Sequence, residues 1–297
     1  MKFHKYHGTG NDFILLDNRG KSITLTAEDI QQLCNRKCGI GADGLILLNP
    51  SKQADFEMVF YNNDGSTDTF CGNGGRCIAA FANRLGLLPP SPSGLPRPFC
   101  LRHFPQNEKR SGFSLFEREE KGCFLASDGI HQFEIVDKPN QNETIVRISL
   151  KECTMPQQFS DNIFFINTGS PHLVIFKDKI ENLDVLSLGK QHSNDPRIQG
   201  RTNVNFVERK PDYLLVRTFE RGVEDETLSC GTGIVASVLT YAAHFLENIQ
   251  QNVITAESRG GTLKVYYTKT DNIFHDVYLE GLVSCAFAGE IFMKIAP

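Results

Sequence analysis

The sequence predicts an α+β fold made of two similar halves, each with short, mostly antiparallel strands around one long helix. Three observations predict this class. Short runs with strand periodicity outnumber the helical runs. A Cys-Gly-x-Gly segment stands before a long helical run twice, at Cys71 and at Cys230. The second cysteine follows the first by 159 positions, and the same offset relates several other motifs.

The repeat extends beyond the cysteines. The TGNDFILL stretch that starts at Thr9 corresponds, 159 positions later, to TGSPHLVI at Thr168. Glycine and phenylalanine positions also recur at that distance, Gly41 as Gly200 and Phe60 as Phe219. Several matches at one fixed offset indicate a duplicated framework. We therefore expect two pseudo-symmetric domains that face each other, with the active site in the cleft between them.

The predicted N-terminal domain covers residues 1–150, and the C-terminal domain covers residues 151–284. The final segment, 285–297, is surplus to the second half, and we expect it to return and join the first. A proline-rich segment, 89–109, interrupts the first half and is expected to be irregular, because proline cannot continue a helix or a central strand.

In the first half, Thr26 is a plausible helix N-cap with Asp29 in the acidic first turn, for a helix that runs through Leu33. The helix after Cys71 is expected to end near Gly86. A glycine-rich turn and an Asn-Asn-Asp-Gly turn separate the strands. Strands are predicted at 3–6, 13–17, 45–48, 55–61 and 144–150, and near residues 113, 124 and 133.

The second half repeats this order. A helix is predicted at 183–192, and the helix after Cys230 carries apolar residues at helical spacing. Strands are predicted at 164–165, 172–176, 203–208, 213–219, 252–256, 261–268, 277–279 and 290–294.

Composition narrows the class of function. The chain has 297 residues, 40% of them hydrophobic, and a formal charge of −4 without a basic block, so nucleic acid is not an expected partner. No apolar stretch is long enough to span a bilayer, and the first residues do not form a signal-peptide core. We expect a cytoplasmic protein with no membrane contact.

The chain contains nine cysteines without disulfide-framework spacing. No Cys-x-x-Cys pair or histidine cluster completes a four-ligand zinc site, so no metal is expected. Six cysteines outside the two motifs are predicted to be reduced and mostly buried: Cys34, Cys77, Cys100, Cys123, Cys153 and Cys285.

The two motif cysteines are predicted to stand at helix starts, where unpaired N–H donors and the positive end of the helix dipole favour thiolate over thiol. Polar residues gather near the two cysteines: Asn11, Asn62, Asn73, His172, Asn203, Glu220 and Arg221. An arginine binds one carboxylate in bidentate fashion, and helix-start amides bind another. Taken singly, these residues have plainer interpretations. Asn62 and Asn73 could be turn formers, and Glu220 and Arg221 could be a solvated ion pair. His172 could be a histidine whose hydrogen bonds are satisfied in the core.

Seven stretches together resemble diaminopimelate epimerases: HGTGNDF, GIGADGL, FYNNDGS, CGNGGRC, NTGSPH, ERGVEDET and SCGTG. They run in the same order from residue 7 to residue 233. The resemblance implies a cytoplasmic, usually dimeric epimerase that works without pyridoxal phosphate or another cofactor. It would interconvert LL-2,6-diaminopimelate and the meso isomer, which feed lysine and peptidoglycan synthesis.

The resemblance also implies roles for individual residues. Cys71 would be the proton donor and Cys230 the proton acceptor, with His172 and Glu220 tuning their pKa values. Substrate would be bound by Asn11, Asn62, Gly72, Asn73, Asn203, Glu220, Arg221, Gly231 and Thr232.

The chain departs from the common pattern at Gly44, where many members have Gln, at Ser170, where many have Asn, and at Phe287, where some have a Tyr that supports the dimer. One residue is added between Arg221 and Glu226.

Three other functions stay open at this point. A proline or hydroxyproline racemase would also use two cysteines, but it does not need a clamp for the distal end of the substrate. A binding protein for amino acids would need only the polar clamp, and a redox protein would need only the two thiols.

Overall fold

A computed structural model describes residues 1–67, 70–88, 120–246 and 252–292 of the protein. The proline-rich segment 89–109 and the strand predicted near Phe113 lie outside the described residues.

The first half contains seven strands and two helices in its described part. The elements are β1 (Lys2–Gly8), β2 (Asn11–Asp17), α1 (Ala27–Cys34), β3 (Gly44–Asn49), β4 (Phe56–Asn62), α2 (Gly72–Arg84), β5 (Lys121–Ala126), β6 (Gly129–Asn140) and β7 (Glu143–Ser149).

The second half opens with two short strands that the sequence did not indicate, β8 (Cys153–Thr154) and β9 (Gln157–Ser160). It continues with β10 (Ile163–Asn167), β11 (Pro171–Phe176), a 3₁₀ turn (Ile180–Asn182), α3 (Val185–Ser193), β12 (Asn203–Arg209), β13 (Leu214–Glu220), β14 (Asp225–Thr227), α4 (Gly231–His244), β15 (Val253–Ser258), β16 (Gly261–Thr270) and β17 (Ile273–Glu290).

The two halves repeat one pattern of strand pairing. β1 and β2 are antiparallel, β2 and β3 parallel, β3 and β4 antiparallel, and β4 and β5 parallel. The strands β10, β11, β12, β13 and β15 pair in the same alternation. β3 and β12 begin at Gly44 and Asn203, and α2 and α4 begin at Gly72 and Gly231, so the offset of 159 holds through the long helices. The predicted α+β class is confirmed.

Local signals account for the helix ends. Thr26 accepts a hydrogen bond from the amide of Asp29, whose carboxylate accepts one from the amide of Thr26, and this capping box starts α1 as predicted. α2 ends at Arg84, two residues before Gly86, which takes a left-handed φ of 69°. Both long helices lie against the sheet with most of their residues buried, so each anchors one side of the core.

The last strand differs from the prediction. The sequence suggested separate strands at 277–279 and 290–294, whereas one strand, β17, runs from Ile273 to Glu290. Its first part pairs with β16, and its last part, Val283–Glu290, pairs with β1. The two alanines and the glycine of this last part carry little strand propensity, so its conformation depends on pairing with β1. The domain boundaries at 150 and 284 remain a prediction.

The described cysteines agree with the prediction except at one position. Cys34, Cys77, Cys153 and Cys285 are free and buried. Cys123 is buried but disulfide-bonded, so the expectation of a reduced thiol is wrong there, because sequence spacing does not reveal which sulfurs meet in three dimensions. Cys100 lies outside the described residues. Within the described ranges, no helix has both the length and the apolar character needed to cross a membrane.

Candidate active site

Cys71 and Cys230 are the N-cap residues of the two long helices. Their backbone angles are almost identical, with φ −112° and ψ 114° at Cys71 and φ −111° and ψ 110° at Cys230. The amide of Gly74 donates to Sγ of Cys71 over 3.5 Å. The duplicated fold therefore presents the two sulfurs in the same local setting, beside the free amides of a helix start.

The two helix starts lie against each other. Nδ2 of Asn73 donates to the main-chain carbonyl of Ser229, the residue before Cys230, over 3.1 Å. A Cβ placed on Gly231 would lie 3.2 Å from Oδ1 of Asn73 and 3.1 Å from Leu279. Leu279 is also the neighbour of Gly72, 3.6 Å from a Cβ built there. Glycine at the start of α4 therefore permits the close approach of the two helix starts, whereas a Cβ at Gly72 would make only an ordinary contact.

Asn11 joins the group around Cys71. Its Oδ1 lies 3.6 Å from Sγ of Cys71 and accepts from Nδ2 of Asn73 over 3.3 Å. Its Nδ2 donates to Asp43 over 2.8 Å, and this contact determines which end of the amide faces the sulfur. Asp43 is in turn bound by Arg36. The turn before β2 and the loop before β3 thus hold Asn11 in position.

A buried arginine lies under the start of α2. Arg76 has no exposed surface, and its guanidinium donates to Oδ1 of Asn73 over 2.6 Å, to Thr9 over 3.3 Å and to the carbonyl of Leu282 over 3.3 Å. Within the described residues its Nε has no hydrogen-bond partner. None of these hydrogen-bond partners is a carboxylate. The positive charge of Arg76 lowers the pKa of the nearby Cys71 thiol. Burial lowers the pKa of Arg76 to about 10.

A second polar group surrounds Cys230. Oγ1 of Thr232 lies 3.5 Å from Sγ of Cys230 and 3.0 Å from Nε2 of His172. Ser170 bridges the histidine and the threonine, with Oγ 2.9 Å from Nε2 and 3.2 Å from Oγ1. Asn203 reaches the same hydroxyl through Nδ2 over 3.4 Å. The structure therefore brings four of the predicted residues and Ser170 into one network.

The remaining predicted residues lie at the strand ends nearby. The amide of Arg221 donates to Oδ1 of Asn203 over 3.0 Å, and its exposed guanidinium donates to the carbonyl of Arg201. Glu220, at the end of β13, contributes an electrostatic effect at both cysteines. Asn62 hydrogen-bonds twice to Ser66, through its amide and through Nδ2, so it does form the turn after β4. No contact joins it to the cysteines within the described residues.

The family model for diaminopimelate epimerase matches residues 3–89 and 164–283, which contain both cysteine caps and every residue of the two polar groups. The chain belongs to this family.

Curated relatives agree over nearly their whole length. The diaminopimelate epimerase of Flavobacterium psychrophilum is 40% identical over 97% of this chain and 98% of that protein. The one of Chlorobaculum tepidum is 37% identical over 96% of this chain and 98% of that protein. The one of Campylobacter jejuni is 35% identical over 97% of both chains.

Solved structures of low sequence identity share the fold. A hydroxyproline epimerase from Agrobacterium vitis, solved with trans-4-hydroxy-L-proline, has a TM-score of 0.66 at 14% identity and covers 97% of this chain and 91% of its own. A phenazine biosynthesis protein of the PhzF family from Bacillus anthracis has a TM-score of 0.66 at 15% identity and covers 99% of both chains. The diaminopimelate epimerase family thus shares its architecture with proteins of other names.

Burial has the largest effect on the pKa values of the two cysteines. Burial raises the pKa of the Cys71 thiol to about 11, partly offset by the amide of Gly74, while the charge of Glu220 adds to the increase. Burial and Glu220 also raise the pKa of Cys230, against the hydrogen bond from Thr232. The amides of Gly74 and Gly233 lower the pKa of Cys71 and Cys230, in the direction expected of helix starts, but desolvation has the larger effect in the free protein.

Two departures from the family pattern have structural explanations. A Cβ on Gly44 would lie 2.6 Å from Phe60 and 2.6 Å from the carbonyl of Tyr61, so a larger side chain does not fit unless both Phe60 and the main chain at Tyr61 move. Ser170 takes part in the network around Cys230 through its hydroxyl. Phe287, the position where some family members have a tyrosine, is half exposed, and its ring meets that of Phe3 edge to face at 5.9 Å.

Sequence reasoning missed several members of the site. Arg76 stands within the CGNGGRC motif, and its signal is a charged residue in the otherwise uncharged first turns of α2. Asn205 stands two residues after Asn203 on a strand, and this spacing puts both on one face. Asp43 has no local signal, because its role depends on contact with a residue 32 positions away.

Proposed function

We propose that this protein is an isomerase that interconverts LL-2,6-diaminopimelate and meso-diaminopimelate with two cysteine acid–base groups and no pyridoxal cofactor. The observation that carries the proposal is the pair of cysteine N-caps with matching backbone angles, whose helix starts contact each other through Asn73 and Ser229. Membership of the diaminopimelate epimerase family supports the choice of substrate.

The chemistry fits the residues. The α-proton of an amino acid is very weakly acidic, so the carbanion that forms on its removal needs donors directed at its own carboxylate. Two adjoining helix starts, with Gly72, Asn73, Gly231 and Thr232, provide such amides. Inversion then needs a base on one face of the α-carbon and an acid on the other.

Cys230 is the base and Cys71 the acid in one direction, and they exchange roles in the reverse direction. Each turnover moves one proton from carbon to sulfur and one from sulfur to carbon. The active form therefore has one thiolate and one thiol. Because burial raises the pKa of both thiols in the free protein, Cys230 must lose its proton to solvent before it acts as a base, and the positive charge of the α-ammonium group of the substrate favours this loss.

The distal end of the substrate requires a second carboxylate site. Arg221 and Asn203 are joined by a hydrogen bond at the ends of β12 and β13, close to the network around Cys230. The guanidinium of Arg221 is exposed and suited to a bidentate carboxylate contact, and Asn62 is the third member of the proposed clamp. A substrate without a distal carboxylate would leave this clamp unused.

We place the protein in the cytoplasm as a homodimer, with its product feeding lysine and peptidoglycan synthesis. The half-exposed Phe287 at the β1–β17 edge is the proposed dimer contact.

Isotope exchange tests the function. The purified protein is incubated in deuterated water with LL-diaminopimelate, and separately with L-proline and trans-4-hydroxy-L-proline as matched controls. We expect deuterium at the inverted carbon of meso-diaminopimelate before it enters recovered substrate, and no exchange in either control. Cys71→Ser and Cys230→Ser should each abolish inversion, because serine is a far weaker acid than cysteine. Equal early labelling of both isomers would contradict two bases, and exchange confined to proline would contradict the substrate.

A further inference from the structure

We propose that Asn205 sets the tautomer of His172 and thereby directs a chain of hydrogen bonds toward Sγ of Cys230. Asn205 is a positioning residue, since it acts through His172, Ser170 and Thr232. The proposal rests on the proposed function in one respect only, the role of Cys230 as a base.

The orientation of the Asn205 amide is determined by its surroundings. The side chain is fully buried on β12. One end lies 3.3 Å from the main-chain carbonyl of Leu173, which can only accept, so this end is the NH2 group. The other end, Oδ1, accepts from the hydroxyl of Thr218 over 2.9 Å.

This orientation decides the state of the imidazole. Nδ2 of Asn205 lies 3.1 Å from Nδ1 of His172. Because Nδ2 is a donor, Nδ1 must accept, and the proton of a neutral imidazole then resides on Nε2. His172 has no exposed surface, and burial, together with the charge of Arg221, lowers its pKa to about 3, so the ring is neutral.

The chain of hydrogen bonds continues from His172 through the hydroxyl groups of Ser170 and Thr232. Nε2–H faces Oγ of Ser170 at 2.9 Å and Oγ1 of Thr232 at 3.0 Å. Oγ of Ser170 also accepts a hydrogen bond from Nδ2 of Asn203. Oδ1 of Asn203 in turn accepts one from the main-chain amide of Arg221. Since Nε2 cannot accept, the Ser170 proton points to Thr232, and the Thr232 proton points to Sγ of Cys230. Among the contacts of the described residues, this arrangement alone gives each hydroxyl proton an acceptor.

The opposite tautomer would remove this constraint. An unprotonated Nε2 could accept the proton of Thr232, and the thiol of Cys230 could then donate to Thr232. A sulfur that accepts is favoured as thiolate, and a sulfur that donates is held as thiol. Asn205 therefore favours the basic form of Cys230, against the charges of Glu220 and Cys71, the ionisable groups that act on this sulfur.

The described part of the first half has no equivalent chain of hydrogen bonds. At the offset of 159, His172, Asn205 and Thr218 correspond to Phe13, Ile46 and Val59. The packing is nevertheless parallel: a Cβ on Gly233 would meet Asn205, and a Cβ on Gly74 would meet Ile46. The two helix starts are similar in backbone but differ in the side chains packed against them. The start of α4 contacts the polar Asn205, and the start of α2 contacts the apolar Ile46.

The matching isoleucine supplies the test variant. Asn205→Ile copies the first-half side chain into the second half and removes the amide. Thr218→Val is the matched control, because it changes the same buried network but leaves both contacts of Nδ2 in place.

Two measurements are made on the free protein. Nitrogen-15 NMR of histidine-labelled protein, with His172→Gln to assign the signal, gives the tautomer. Alkylation by iodoacetamide across pH, followed by mass spectrometry of each cysteine peptide, gives the reactivity of Cys230 and Cys71 separately.

We expect the native protein and Thr218→Val to carry the His172 proton on Nε2. In Asn205→Ile, alkylation of Cys230 should slow by about fivefold to tenfold, as expected for loss of one hydrogen bond to a charged group, while Cys71 changes less than about twofold. A native His172 protonated on Nδ1 would overturn the proposal even if Asn205→Ile fails to fold, and so would native-like Cys230 reactivity in a folded variant. Neither measurement needs turnover, so lack of epimerase activity in a protein with the expected tautomer would contradict the proposed function and leave this inference standing.

Discussion

Nδ2 of Asn73 donates a hydrogen bond to the main-chain carbonyl of Ser229 over 3.1 Å, between residues 156 positions apart in the chain. The same amide also contacts Asn11 and Arg76. One side chain at the start of α2 therefore positions the residue that precedes Cys230.

Asn73→Ala should lower kcat/KM for diaminopimelate by about 30-fold to 100-fold, because two or three buried hydrogen bonds that align the helix starts are lost. Steady-state kinetics in both directions measure the effect. Asn83→Ala, at the far end of the same helix, is the control and should stay near the native value. Native kinetics in Asn73→Ala would show that the contact between the helix starts is not needed for turnover.

Arg76→Met should raise the pKa of Cys71 further, because the buried guanidinium favours the thiolate form of that sulfur. The alkylation profile of Cys71 should move to higher pH, with slower epimerisation as a consequence. Arg84→Met, in the last turn of α2, is the matched control. A Cys71 profile that does not move in folded Arg76→Met would assign the arginine a purely structural role.

Glu220→Gln should change thiol reactivity and turnover in opposite directions. The carboxylate raises the pKa of Cys71 and of Cys230, so its removal lowers both and speeds alkylation at neutral pH. Turnover should fall, because the proposed substrate contact of Glu220 is lost. Alkylation and steady-state kinetics on one preparation measure both quantities. Slower alkylation of both cysteines would contradict the electrostatic role of this residue.

Asp12→Asn should destabilise the fold by about 3 kcal/mol at pH 7, because it leaves the buried ammonium of Lys5 without its carboxylate. Burial acts to raise the pKa of Asp12, but hydrogen bonds from Arg36 and Lys5 outweigh it and hold the pKa well below its usual range.

A lowered pKa means that this stabilisation is complete above the unfolded pKa of about 4 and is lost as pH falls toward the folded pKa. In urea unfolding, the difference between native protein and Asp12→Asn should therefore shrink below about pH 4. Asp17→Asn, which breaks an exposed pair with Arg19, should cost less than about 1 kcal/mol. A difference that grows in acid would contradict the assignment.

The sequence predicted the framework well because the duplication is regular. The offset between Cys71 and Cys230 is also the offset between the starts of β3 and β12 and between the starts of α2 and α4. Turn, cap and periodicity signals are local, so they located the elements up to the long helices. β8, β9 and β14 are only two to four residues long and depend on their neighbours, which is why no local signal showed them.

The site was predicted less completely than the fold. Residues within motifs were found, but Asn205 and Asp43 act through contacts that only the folded chain creates. The effect of burial on the two cysteines was not predicted, because a sequence shows the helix start beside a sulfur and does not show how much protein surrounds it.

The pairing of β17 with β1 has a consequence for biosynthesis. The partner residues Val283–Glu290 are synthesised more than 270 residues after β1. Until they emerge from the ribosome, one edge of β1 is open and able to pair with a strand of another nascent chain. The same long strand contains Leu279, which lies beside both helix starts, so a translation product that stops before β17 lacks this contact as well as a closed edge. Correct folding of the first half therefore depends on a strand that is synthesised after the whole of the second half's long helix.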